Sequence, residues 1–305
     1  MVAEPLHLGI ELGSELEEVA APPAPPRLAH PFPQSLSPSS MGTFTSCPLS
    51  FRFSYIERLP EPPSAPASKG TLVHLALQHL MWRPAPDRTL EHALDDLARA
   101  RRELEADADL GDLQLSDEEW ELFHADAEVL VRRYFEIEDP REIRVLGVEL
   151  RVSAKTAEGV VIRGVIDRLE LDADGELVVT DYKTGAVPSE YYEAKSLAGV
   201  HMYSLLCEQN FGKRPEQVQL LYLSKPEAII ARPSDQSSHG LTRRTVALWT
   251  AIEQACARDD FRPRTSRLCD FCTFRPYCPA YGGDPHDALE LRGPGTVIAQ
   301  TLPLG

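Results

Sequence analysis

Two kinds of hydrophobic pattern divide this chain. From Arg144 to Leu171, branched apolar residues alternate with polar ones at the two-residue period of half-buried strands, predicting strands over "RVLGVELRVSA" and "VVIRGVIDRLEL". Asp172-Ala-Asp-Gly175 supplies a tight turn into a third strand, "ELVVTDYKT". "QVQLLYLSK" predicts a fourth, with "AIIAR" pairing onto it through Lys225-Pro-Glu. Helical spacing dominates elsewhere. It predicts helices from about Ser40, over "KGTLVHLALQHLMW", in two or three segments across residues 87–138, over residues 190–210 and over "LTRRTVALWTAIEQACA". The second of these is apolar on nearly all sides and should be buried. The last is amphipathic, with Val246, Trp249, Ile252 and Cys256 on one face. The proline-rich "PEPPSAPAS" reads as a loop.

These elements predict an α/β fold: a mixed sheet flanked by helices, with a helical insertion over about residues 87–140. The acidic, proline-rich residues 1–36 read as a disordered arm, residues 37–280 as the folded domain and residues 281–305 as a tail. No apolar run approaches the ~18 residues of a membrane helix. The N-terminus has no basic-then-apolar leader, so a cytoplasmic protein is expected.

The formal net charge of −16 argues at first against nucleic acid, whose phosphates need cationic partners. The distribution of that charge points the other way. Residues 1–34 carry a net −4 and residues 87–140 a net −12, so the rest of the chain is balanced and can hold a local cationic groove. Arg243, Arg244, Arg258, Arg262, Arg264 and Arg267 are the candidates for phosphate contact, with Phe261 and Phe271 nearby for base stacking.

Polar residues interrupt the central hairpin where it should be buried: Asp167 in its first strand, Asp181 and Lys183 in its second. Asp181 and Lys183 share a face, and the turn places Asp167 opposite residue 180 or 181. Two carboxylates converging with an amine suit Mg²⁺ or Mn²⁺, which prefer oxygen ligands and keep several waters. The lysine could activate a water or neutralise charge on a phosphate. The hairpin alone equally suits a structural salt bridge between Lys183 and an aspartate.

Five ordered motifs, "SPSSMGTFTSCPLSFRF", "GTLVH", "GVIDR", "VVTDYKTG" and "CDFCTFRPYCP", together resemble the RecB-like branch of the PD-(D/E)XK nuclease superfamily over roughly Ser37 to Pro279. The resemblance implies a restriction-endonuclease-like core in which His74, Asp167, Asp181 and the Tyr182 carbonyl hold the metal and Lys183 orients or activates the water. Glu149 matches a position where relatives often carry a glutamate, which leaves a supporting role or a solvated strand residue open. His79, about 140° round the helix from His74, is expected to be structural. Relatives usually carry a Gln four residues before the tyrosine corresponding to Tyr203; here Gly199 stands there, and His201 is the substitute candidate.

Cys269, Cys272 and Cys278 have Cys-x2-Cys-x5-Cys spacing, and Cys47 is the candidate fourth ligand. A structural zinc usually takes two short-spaced pairs. One remote and three clustered cysteines instead resemble the iron–sulfur subset of this branch, implying a [4Fe-4S] cluster, with Zn²⁺ as the alternative. Cys207 and Cys256 are expected to be buried. The implied activity is a divalent-metal-dependent DNA nuclease, an exonuclease on single-stranded ends in repair or recombination. A non-cleaving nucleic-acid-binding module and a nuclease acting on RNA remain open. No Walker A sequence is present, so unwinding would come from a separate helicase.

Overall fold

A computed structural model of the chain describes residues 30–105, 113–188 and 202–291. Five strands form one sheet in the order β1-β2-β3-β4-β5: β1 (Arg144–Lys155), β2 (Val161–Leu171), β3 (Leu177–Lys183), β4 (Gln217–Tyr222) and β5 (Glu227–Ala231). β1, β2 and β3 are antiparallel, β3 and β4 are parallel, and β5 returns antiparallel. The β2–β3 turn forms as its residues dictate. Asp172 Oδ1 accepts from the N–H groups of Asp174 (3.0 Å) and Glu176 (2.8 Å), and Gly175 takes the required positive φ of 81°. A parallel step needs a crossover, and residues 202–211 form a helix within it.

The described helices are α1 (Pro38–Ser46), α2 (Pro48–Phe51), α3 (Ala65–Trp82), α4 (Leu90–Glu105), α5 (Asp117–Ile137) and α6 (Asp235–Arg258), with a π turn over Arg52–Ile56. Ser37, Ser116 and Ser234 begin α1, α5 and α6 with capping boxes. The expected loop "PEPPSAPAS" gives its second half to α3. Pro66 sits in the first turn, where its missing N–H would have had no intrahelical partner. No described helix is long and apolar enough to cross a membrane.

Three apolar cores hold these elements. Helices α3, α4 and α5 cover one face of the sheet through Leu72, Leu77, Leu80, Val131 and Tyr182. The 202–211 helix and Leu241 of α6 cover the other through Ile162, Ile166, Val179, Leu206 and Val218. The third core, with Leu36, Phe51, Phe53, Ile252, Phe261 and Phe274, joins the two ends of the chain. It also shortens the expected arm and tail. Leu36 is buried and bridges to Ile162, Phe32 packs edge-on to Trp249, and His30 Nε2 lies 2.6 Å from Asp259 Oδ1. At the far end, Ala288 in the turn Asp287–Leu291 is buried in the same core.

Arg168 is fully buried between sheet and α5. It ion-pairs with Glu138 and Glu170 and donates to the hydroxyls of Tyr182 (2.9 Å), Thr180 (3.1 Å) and Tyr134 (3.2 Å). Removing the cation leaves two carboxylates with no counter-charge, so Arg168→Met should cost about 3–5 kcal/mol. A urea melt that leaves the midpoint in place would contradict this.

Candidate active site

Strand register brings three carboxylates into one row. The β2–β3 pairing ends at Arg168–Thr180, and one step further Asp167 falls across from Asp181. On its other side, β2 pairs Arg168 with Val148 and Ile166 with Leu150, so Glu149 falls across from Asp167. Glu149 is there in a left-handed conformation, φ 49°, which a residue with a Cβ adopts only at a cost. Like charges directly opposite one another destabilise a sheet, and a bound cation would relieve that repulsion.

Helix α3 supplies a fourth group. Gly70 lets the helix pass close to the end of β3, because a Cβ there would lie 3.2 Å from Thr184 Oγ1. One turn on, His74 Nε2 donates to the Tyr182 carbonyl (3.1 Å), leaving Nδ1 turned towards Asp167 Oδ2 at 3.5 Å. Asp167 Oδ2 in turn accepts the Tyr182 N–H at 2.8 Å. His74, Glu149 and Asp167 each offer one ligand atom, and all three atoms lie within 4.8 Å of one another. The donor set of one imidazole and two carboxylates fits a hard divalent cation with open positions. Glu149, which the resemblance left between support and solvent, therefore stands among the candidate ligands. The Tyr182 carbonyl, expected as a ligand, is engaged by His74 in this structure.

Asp181 and Lys183 lie beside that group. They form an ion pair, and the Tyr203 hydroxyl donates to Asp181 Oδ1 at 3.3 Å and to the Val165 carbonyl at 3.1 Å. Burial pushes the Asp167 carboxyl up to about 6, and the Asp181 charge adds to that, while His74 and the Tyr182 N–H pull the other way. Burial also raises Glu149, against the pull of His74. For Lys183 burial opposes the charge, but Asp181 beside it holds the ammonium above its ordinary value, so it stays a cation at neutral pH. His79 is buried and faces Glu103 at 3.0 Å, in keeping with a structural role. Gly199 and His201 lie outside the described residues.

Cys47 sits at the kink between α1 and α2, and Cys269, Cys272 and Cys278 lie in the turns after α6. Burial raises the Cys272 thiol, and Cys47, Cys269 and Cys278 are near enough to raise it further. The Ser266 N–H (3.3 Å to Sγ) and the Tyr281 hydroxyl lower Cys269. Cys207 and Cys256 are fully buried, as expected. Among the expected phosphate contacts, Arg243, Arg244 and Arg267 are exposed, Arg262 pairs with Asp260 at 2.8 Å, and Arg264 donates to the Thr45 carbonyl. Phe261 cannot stack on a base, because it is buried in the third core edge-on to His30; Phe271 remains 87% exposed.

No curated protein matches the chain significantly. Similar solved structures include a "Putative exonuclease" from Eubacterium rectale, 14% identical, covering 78% of this chain and 87% of that one at a TM-score of 0.48. Another is the protein SSO0001, 14% identical, covering 81% of this chain and 87% of that one at a TM-score of 0.37. The family match is on the sequence itself and spans residues 35–279, taking in every motif from α1 to the last cysteine. With its mixed five-stranded sheet, flanking helices and carboxylate row, the chain belongs to the PD-(D/E)XK nuclease superfamily.

Proposed function

We propose that this chain is a metal-dependent DNA nuclease of the RecB-like branch, hydrolysing phosphodiester bonds at single-stranded ends. The observation that carries the reading is the convergence of His74, Glu149 and Asp167 within 4.8 Å, with the Asp181–Lys183 pair alongside. These residues would hold Mg²⁺ or Mn²⁺, which would polarise the phosphate and supply a hydroxide-like nucleophile. The Tyr182 backbone positions two of the ligands at once, through its N–H to Asp167 and its carbonyl to His74. Lys183, kept protonated by Asp181, neutralises charge that builds on the phosphate. Cys47, Cys269, Cys272 and Cys278 carry a [4Fe-4S] cluster, a zinc ion being the alternative. The protein works in the cytoplasm in repair or recombination, with a separate helicase where duplex must be opened.

Anaerobically purified protein with Mn²⁺ should degrade end-labelled single-stranded DNA, and Asp167→Asn protein should not. Undiminished cleavage in excess chelator would overturn the reading, and cleavage confined to RNA would replace its substrate. Glu149 provides a second, two-sided expectation. Glu149→Gly relieves a strained left-handed residue, worth about 1 kcal/mol or about 2 °C in melting temperature. The same change should weaken Mn²⁺ binding by more than about a hundredfold. Titration calorimetry and a melt of the metal-free protein read the two effects separately.

A further inference from the structure

Asp181 and Lys183 open onto a groove of about 2660 Å³, well beyond the roughly 300–1,000 Å³ of a small-molecule cleft. Its described lining carries seven Arg and Lys side chains against a single carboxylate, Asp181, in a chain of net charge −16. Two of these cations carry no signal in the sequence for phosphate contact. On β1 and β2, Val152, Ala154 and Ile162 turn into the core, so Arg151 and Arg163 alternate to the exposed face and line the groove. The facing wall is α6, where Gln236, Gly240, Arg243 and Arg244 recur at helical spacing.

Arg151, Arg163, Arg243, Arg244 and Arg267 have no ion-pair partner among the described residues. On the acidic helices the pattern is opposite: Arg99, Arg101 and Arg132 each pair with a glutamate one turn away. Arg151 feels the charge of Glu149 without pairing with it, and Lys183 pairs with Asp181; Arg163, Arg243, Arg244 and Arg267 form no ion pair among the described residues. Leu268 lines the groove and is 69% exposed; in the same short helix, Arg267–Phe271, Phe271 follows three residues later, outside the lining, and is 87% exposed.

Resting on the nuclease reading above, we propose that this groove is a channel for one unpaired nucleic-acid strand. Arg151 and Arg163 on the sheet and Arg243 and Arg244 on α6 hold its phosphates from two sides, and Phe271, with Leu268, stacks on its bases at the rim. Free guanidiniums match the spaced charges of a phosphate backbone. Paired bases already stack on one another, so an exposed aromatic gains most from an unpaired strand.

The test separates binding from cleavage. Binding of fluorescein-labelled oligothymidine is followed by anisotropy in excess EDTA, and cleavage of the same strand is measured with Mn²⁺. Arg151→Gln with Arg163→Gln should weaken binding about tenfold or more and reduce the slope of log affinity against log salt by about 1.4. Phe271→Ala should weaken it about five- to a hundredfold, leave binding of an abasic strand of equal length unchanged, and be rescued by Phe271→Trp. An unaltered salt slope in the double-arginine variant, equal losses on the abasic strand, or duplex bound as tightly as single strand would each overturn the channel. If the wild type binds as described and never cuts, the nuclease reading fails and the channel stands. If the variants bind like wild type while cleavage persists, the channel fails alone.

Discussion

Alanine in place of Lys183 should leave the chain folded and slow phosphodiester hydrolysis by about a hundred- to a thousandfold. The side chain is 42% exposed, so its removal opens no cavity. Asp181 is buried, so losing its counter-charge should cost about 1–3 kcal/mol. The melting temperature should fall by a few degrees without unfolding the chain. Metal affinity should not fall, because Asp181 loses a competing cation. The defect then belongs to the chemical step, where a positive charge beside the phosphate is missing. Single-turnover rates at saturating Mn²⁺ distinguish these effects. A variant that binds metal normally and cuts at the wild-type rate would remove Lys183 from the mechanism. Lys183→Arg should recover part of the rate, since it keeps the charge and changes its shape.

Cys47→Ser should lower the melting temperature by about 10 °C and bleach a brown protein. Cys47 lies at the junction of α1 and α2 and Cys269 in the turns after α6, so the proposed cluster shared by them would close a loop of 222 residues. By analogy with a disulfide closing a long loop, the constraint on the unfolded chain is worth about 5 kcal/mol, or about 10 °C or more for a domain of this size. Activity should fall as well, because the groove residues Ser39, Met41, Gly42 and Thr45 of α1 are held from the same end. Iron and zinc analysis of anaerobic protein identifies the bound group. Zinc without iron would replace the cluster and keep the staple, whereas an unchanged melt in Cys47→Ser would remove both.

The parts of this site that read plainly from sequence are those with a local signature. Period-two alternation and the Asp172–Gly175 turn put Asp167 opposite residue 180 or 181, and the Arg168–Thr180 pairing makes it 181. "GTLVH" points to His74, and the structure adds why the glycine is there. Glu149 is ambiguous in sequence because its proposed role depends on a left-handed backbone that a glutamate does not signal; glycine would be the ordinary choice at such a φ. Phe261, beside a cluster of arginines, has the sequence context of a stacking residue. Its burial depends on His30 and the N-terminal segment, more than two hundred residues away, which no local pattern encodes. Leu36 is illegible for the same reason: surrounded by prolines and serines, it pairs only with a distant strand.

That third core has a consequence for how the protein is made. The contact of His30 with Asp259 spans 229 residues, so although Leu36 can dock on β2 earlier, His30 and Phe32 lack their partners until most of the chain has been synthesised. At about 5–20 residues per second, a ribosome needs roughly ten to fifty seconds to deliver the partner. Through that interval Phe51 and Phe53 lack Ile252, Phe261 and Phe274, while the sheet and its α3–α5 cover can already assemble. A ribosome-bound intermediate with a finished sheet and a sticky amino end should result, one that nascent-chain chaperones would recognise. Truncation before α6 should accordingly yield aggregates, not a smaller soluble domain.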